Sequence, residues 1–242
     1  MAILDFPPLH FADNDGLLGV GGDLEPSSIL RAYKSGIFPW PLDESILAWF
    51  SPPKRGLLFL NELRMSRTLK KELKRGKFLC SFNNDFEGVI SACAEVVNRG
   101  EQSGTWITSE MIDAYTALHE LGYAHSVEAY SLEGKLVGGL YGICINGFFS
   151  GESMFYRKSG ASKYALLFLL RHLTRHAIPF FDCQMVTPFP ESLGARLVSR
   201  EDFIPLLRKQ LTQSPIPFEN SSPKAFVWKD YALPLSKQQR EC

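Results

Sequence analysis

What most constrains the fold is a run of strands carrying more glycine than ordinary strands tolerate. His125-Ser126-Val127-Glu128-Ala129-Tyr130 is one strand, Leu132-Glu133-Gly134-Lys135 a turn, and Leu136 to Ile145 a second strand. Asn146-Gly147 is a hairpin signal, and Phe148 opens a third strand. Gly138, Gly139, Gly142 and Gly151 interrupt these strands, which predicts bulges or a close approach of backbone or ligand. A helix is expected from about Ala161 to Ala177, with Ala165, Leu166, Leu169, Leu170 and Leu173 inward. The strand Pro179-Phe180-Phe181-Asp182-Cys183-Gln184 then returns to the sheet. Hairpins, a helix and a returning strand describe an α+β chain.

The returning strand has an unusual end. Asp182 and Gln184 lie two residues apart and are expected on one face, as a satisfied polar pair or as a site. Glu152 lies among apolar residues in Gly151-Glu152-Ser153-Met154-Phe155, where burial demands partners. His172 and His176 have a metal-compatible i, i+4 spacing, but H-E-x-x-H and a third ligand are missing. No P-loop stands in the chain, and His119 and His125 come with no nucleophile arrangement. The residues therefore give no sign of metal, nucleotide-hydrolysis or covalent chemistry.

The flanking segments are more irregular. Residues 1–52 are rich in Gly, Pro and Trp and read as loops, short strands and one helix, Pro26 to Tyr33. Asp23 or Ser27 is expected to cap that helix and Gly36 to end it. Gly19, Gly21 and Gly22 lack the spacing and the preceding strand of a dinucleotide fingerprint. Residues 66–76 read as a helix with Ser66 as its cap, rich in Lys and Arg. A solvated face is the ordinary reading of such a run; a phosphate-binding stripe is the other. A second helix is expected over 84–98, with Phe86, Val89, Ile90, Cys93 and Val97 inward. A third runs from Thr108 to Leu121 on an apolar face of Ile112, Tyr115, Leu118 and Leu121. Ser192 to Ala195 reads as a turn, Asp202 to Leu211 as a helix, and the tail from Ser214 as a wrapping loop.

Composition bounds the partners. The 242 residues are 45% hydrophobic and 21% charged, with no formal net charge, so a nucleic-acid partner would have to meet a local patch. Cys80, Cys93, Cys144, Cys183 and Cys242 form no C-x-x-C pair and read as reduced thiols of a cytosolic protein. No signal peptide and no membrane-spanning run are expected.

Eight ordered motifs then amount to a resemblance. They are Gly19-Val20-Gly21-Gly22-Asp23-Leu24, the run Ala32 to Trp40, Gly104-Thr105-Trp106-Ile107-Thr108, Gly138-Gly139-Leu140-Tyr141-Gly142, Gly151-Glu152-Ser153-Met154-Phe155, Ala161-Ser162-Lys163, Phe181-Asp182-Cys183-Gln184 and Ser192-Leu193-Gly194-Ala195. Together they resemble the leucyl/phenylalanyl-tRNA–protein transferases from about residue 16 to 205. The resemblance implies a small N-terminal domain, 1–52, and a larger domain, 53–242, with a GNAT-like (acyl-CoA N-acyltransferase-like) mixed sheet. It implies transfer of Leu or Phe, less readily Met, from aminoacyl-tRNA to proteins beginning with Arg or Lys, creating a degradation signal. A cytoplasmic monomer without metal or cofactor is expected.

Roles follow by position. The Gln184 carbonyl is expected to accept a hydrogen bond from the attacking amine, with Asp182 orienting or polarising Gln184. Glu152 is expected to hold a cationic amine, of the donor or of the acceptor. Leu140, Phe149, Met154 and Tyr115 are the candidate lining of an apolar pocket, and Tyr33 a further substrate-binding residue. Trp40 and Trp106 are expected to stack on or enclose the 3′-terminal adenosine, unless they are core or interdomain packing. Arg67, Lys70, Lys71, Lys74 and Arg75 are the candidate tRNA phosphate contacts. One departure stands out: Phe189 occupies a position where many members of that family carry His. An acetyl-CoA enzyme is disfavoured because Gly138–Gly142 leads into more strand, not into a pyrophosphate-binding turn and helix. A non-catalytic tRNA-binding module would leave Asp182, Gln184 and Glu152 unexplained.

Overall fold

The computed structural model describes residues 2–43, 45–96, 98–99, 102–103 and 105–227. The sequence readings at Val97, Gly104, Cys242 and the tail beyond 227 lie outside the described residues. The elements in chain order begin with β1 (Leu17–Val20), α1 (Pro26–Lys34), β2 (Phe38–Pro39), β3 (Ala48–Phe50) and β4 (Lys54–Phe59). There follow α2 (Arg67–Leu73), β5 (Leu79–Phe82), α3 (Phe86–Ala94), the strand pair β6 (Asn98–Arg99) and β7 (Gln102–Ser103), and α4 (Ser109–Glu120). The central run is β8 (Ala124–Tyr130), β9 (Leu136–Ile145), β10 (Phe148–Tyr156), α5 (Ala161–Arg175) and β11 (Phe180–Gln184). The chain continues through α6 (Pro188–Ser192), β12 (Arg196–Ser199), α7 (Arg200–Leu211) and β13 (Lys224–Ala225).

Two sheets carry the architecture. A small one runs β1-β3-β2, and an eight-stranded mixed one runs β12-β4-β11-β10-β9-β8-β5-β13. Most neighbours in the large sheet are antiparallel; β10 and β11 are parallel, as a strand–helix–strand crossover through α5 requires. One face of the sheet packs on α5 and α2 through Leu166, Leu169, Leu170 and Leu73. The other packs on α1, α3, α4 and α7 through Ile29, Val89, Tyr115 and Leu207. The glycines mark close approaches. A Cβ on Gly138 would lie 2.5 Å from the Cβ of Ala161, where α5 starts across the sheet, and one on Gly151 would lie 2.6 Å from the Phe181 ring.

Local chemistry explains the helix ends, with some departures from expectation. Ser66 caps α2 and Thr108 caps α4, each side-chain oxygen accepting from the third residue on. At α1 the cap is Glu25, which makes no side-chain capping bond; Asp23 instead accepts from the Glu25 N–H at 3.0 Å and the Ser28 hydroxyl at 2.6 Å. Leu121, expected on the buried face of α4, is 59% exposed, because the helix ends there and Met111 and Ala114 fill the inward positions. The turn expected over Ser192–Ala195 is the end of a short helix, α6, started by Pro188. The tail contributes Phe218 and Phe226 to the core and β13 to the sheet edge. Among the described residues no helix is long and apolar enough to cross a membrane.

Candidate active site

Two adjacent central strands are both bulged at the same level of the sheet. In β10 the pairing with β9 slips between Gly151 and Ser153, leaving Glu152 as the extra residue. In β11 the pairing with β4 slips between Asp182 and Gln184, leaving Cys183 as the extra residue. A bulge re-aims the side chains around it, and here both act over the same spot. Gln184 has φ 57°, in the left-handed region, and the Met185 N–H donates back to the Cys183 carbonyl at 2.6 Å. This γ-turn is a strained conformation for a side-chain-bearing residue, and its surroundings must enforce it.

The surroundings are a connected polar cluster. Gln184 Nε2 donates to Glu152 Oε1 at 2.9 Å and to Ser150 Oγ at 3.3 Å. Tyr115 donates its hydroxyl to Glu152 Oε2 at 3.3 Å. The Tyr33 and Tyr115 hydroxyls lie 2.7 Å apart, and either oxygen can be the donor in that contact. Asp182, fully buried, accepts from Arg55 Nε at 2.9 Å and Nη2 at 2.7 Å and from the Gln184 main-chain N–H at 2.9 Å. Burial pushes the Glu152 carboxyl up to about 7, against the Tyr33 hydroxyl and the Arg55 charge, which pull it down. Burial opposes the charge on Arg55, yet Asp182 beside it holds the guanidinium pKa above its ordinary value.

Above this cluster lies a cavity of about 510 Å³, walled by Leu140, Tyr141, Met154, Phe181, Met185, Pro188 and Pro190, with Glu152, Cys183 and Gln184 reaching it. Trp40 and Trp106 form another wall, stacked on each other with ring centroids 4.7 Å apart and 18° between planes. Both amide hydrogens of Gln184 being engaged, its carbonyl oxygen has no protein partner among the described residues. The arrangement offers an acceptor for an N–H, a carboxyl that titrates near neutrality, and apolar walls.

Several expected positions are corrected by the geometry. Phe149 shares a face with Leu140 and Met154 but is fully buried, packed on Phe181 and Phe218 at 6.0 and 5.6 Å; Phe181 takes the wall position instead. Tyr115 and Tyr33 are not in the cavity wall. They are buried, because their hydroxyls are used on Glu152 and on each other. Asp182 does not touch the Gln184 amide: it holds the main chain, and Glu152 is the carboxylate bonded to the side chain. Arg67, Lys70, Lys71, Lys74 and Arg75 are exposed, and among the described residues none of the five is in an ion pair. Phe189 packs at the edge of the core, 5.2 Å from Lys163 Nζ, away from the cavity wall. Arg55, Ser150, Phe181 and Cys183 are additional site residues. The one signal for Arg55 was a charge beside the apolar run Leu57-Leu58.

Known proteins agree on what such a chain is. A protein of Syntrophus aciditrophicus (strain SB) is 47% identical over 209 residues, covering 86% of this chain and 87% of that protein. One of Dechloromonas aromatica (strain RCB) is 50% identical over 200 residues, covering 82% and 85%. Both are named leucyl/phenylalanyl-tRNA–protein transferase. A solved structure, L-PGS from Bacillus licheniformis, overlays with a TM-score of 0.44 at 12% identity, covering 78% of this chain and 71% of that one, too distant a likeness to bear on activity. The chain is therefore a transferase. Family models for leucyl/phenylalanyl-tRNA protein transferase and for its N-terminal domain match residues 57–208 and 22–53, and the chain belongs to that family.

Proposed function

We propose that the cavity joins an aminoacyl group from tRNA to the α-amino group of a protein. The observation that carries this reading is the open carbonyl oxygen of Gln184, held against Glu152 at the floor of an apolar cavity. The donor is a Leu or Phe ester, less readily Met, whose side chain lies against Leu140, Met154 and Phe181. Such a wall senses volume, and discriminates by about 1–3 kcal/mol per methylene. The acceptor is a protein beginning with Arg or Lys, and the product carries a degradation signal. Its α-amino group, with an ordinary pKa of about 7.7–8.0, is partly neutral at cellular pH.

In the reaction the amine nitrogen bonds to the ester carbonyl carbon and the bond from that carbon to the ribose oxygen breaks. The proton lost by the amine ends on the ribose oxygen, which leaves as a hydroxyl. Gln184 Oε1 accepts the amine N–H as the bond forms. Glu152, accepting from Nε2, makes that oxygen a better acceptor and attracts an ammonium group into the cavity. Holding the two reactants together supplies much of the rate enhancement, because the ester is already activated. Trp40 and Trp106 present faces to the terminal adenosine, and Arg67, Lys70, Lys71, Lys74 and Arg75 follow acceptor-stem phosphates. Residues 1–52 form a small domain on a larger GNAT-like unit, 53–242, in a cytoplasmic monomer.

The test is a transfer assay with leucyl-tRNA and peptides beginning with Arg, Lys, Asp or Glu. Transfer to the Arg and Lys peptides is expected; transfer to none overturns the reading. Charge reversal at Lys70, Lys71 and Lys74 should also flatten the salt dependence of tRNA binding, by about 0.7–0.9 in logarithmic slope for each phosphate no longer neutralised.

A further inference from the structure

We propose that Arg55 is a positioning residue of the transfer site: its grip on Asp182 fixes the left-handed turn that aims the Gln184 amide. The inference rests on the reading that this amide serves aminoacyl transfer. Arg55 is 2% exposed and lies outside the cavity wall; apart from the pull of its charge on Glu152, it reaches the site through Asp182. The grip is side-on. Nε lies 2.9 and 3.1 Å from the two carboxylate oxygens of Asp182, and Nη2 lies 2.7 Å from one of them. Two rings hold the guanidinium in place, Phe38 of β2 at 4.7 Å and Phe203 of α7 at 5.1 Å.

The consequence reaches Gln184 through one oxygen. Oδ1 of Asp182 takes both the Arg55 Nε–H and the Gln184 main-chain N–H. With the carboxylate clamped, that acceptor cannot rotate away, and the turn at φ 57° persists. With the clamp gone, Asp182 is a buried charge without a cation, and nothing holds its carboxylate in this orientation. The Gln184 backbone then relaxes towards an ordinary φ, and its amide leaves Glu152. The third nitrogen, Nη1, is buried and has no partner among the described residues. The guanidinium is therefore placed to hold Asp182 in two-pronged fashion and not to satisfy all its own donors. Lysine carries the charge but not the fork. A buried ion pair is weak evidence for stability as such, which leaves room for a role in geometry.

The test compares the full-length protein with R55K and with R55M/D182N, which removes both charges while keeping an acceptor at position 182. Single-turnover transfer from leucyl-tRNA to an Arg-initiated peptide is measured with thermal melts. Half-saturation for each substrate and the pH–rate profile are measured alongside. The displacement of a reacting group predicts a rate loss on the order of 100-fold in R55M/D182N, with half-saturation nearly unchanged. R55K should fall between it and the wild type. Because R55K keeps the cation near Glu152, its pH midpoint should stay at the wild-type value; the groups facing Glu152 are Tyr33, Tyr115, Arg55 and Asp182. A double variant transferring within about twofold of the wild type overturns the inference alone, as does an R55K loss seen only in the melt. A wild type that transfers nothing to any acceptor overturns the functional reading and this inference with it.

Discussion

Two carboxylates in one sheet have been given opposite treatment. Glu128, on β8, is fully buried; Ser81 and Ser126 donate to its two oxygens at 2.5 Å each, and the Asp85 N–H reaches it at 3.4 Å. It lies at the N-terminus of α3, where the exposed N–H groups favour an anion. Ser81 pairs with it in register, and Ser126 is two residues back on its own strand. The pairing of β5 with β8 is regular there, and the cavity above Gln184 does not reach it. Glu152 sits on a bulge, bonds to an amide held by a strained turn, and faces open space. Burial raises the pKa of both carboxyls. A displaced titration therefore does not distinguish a site from a satisfied polar cluster. A bulge at the carboxylate itself and an acceptor left free do.

The largest effect that could break this contrast is at Gln184. Gln184→Ala should lower the single-turnover transfer rate by about 100-fold or more, the usual weight of a group handling a proton. A change confined to acceptor affinity would demote Gln184 to a binding residue. Glu152→Gln comes next. It should cost about 1.5–3 kcal/mol of amine recognition, the worth of a hydrogen bond to a charged group, and should abolish the limb of the pH–rate profile near 7.

The same substitution should stabilise the fold. The Glu152 carboxyl is raised from 4.5 to about 7, so ionising it opposes folding; the penalty is absent below about pH 4.5, grows up to pH 7 and is constant above. Removing it should add up to roughly 3 kcal/mol at pH 8 and almost nothing at pH 4, read as paired denaturant titrations. Ser81→Ala should destabilise by about 1–3 kcal/mol, by stripping a donor from a buried carboxylate, with transfer at the wild-type rate. The smallest change is expected for Glu128→Gln, a modest rise in melting temperature at neutral pH and unaltered transfer. If Glu128→Gln slowed transfer as Glu152→Gln does, the contrast would collapse.

What could be read from the chain alone followed the range of the interaction. The hairpins of β8 to β10, α5 and the strand of Asp182 were legible, because Asn146-Gly147, the glycines and the apolar spacing are local signals. Strands β4 and β5 were not, since Lys54–Phe59 and Leu79–Phe82 are short and owe their state to distant partners. Residue types at the site were legible, but their pairing was not. Asp182 and Gln184 were expected to meet side chain to side chain, and a bulge between them sends one to Arg55 and the other to Glu152. Tyr115 fits an apolar helix face by period, and nothing in periodicity reveals that its hydroxyl is used. The left-handed Gln184 carries no glycine to announce it.

The ion pair under the cavity also sets an order of events during synthesis. Arg55 and Asp182 are separated by 127 positions, and one of the two rings flanking the guanidinium, Phe203, comes later still. A ribosome adding about 5–20 residues per second exposes the arginine several seconds before its carboxylate exists. The nascent chain can assemble its small sheet and helix α1 in that interval, but strand β4 must wait beside an empty place in the large sheet. Competence for transfer is thus one of the last properties the growing polypeptide acquires. A chain truncated before α7 would have most of its secondary structure and an unfinished site.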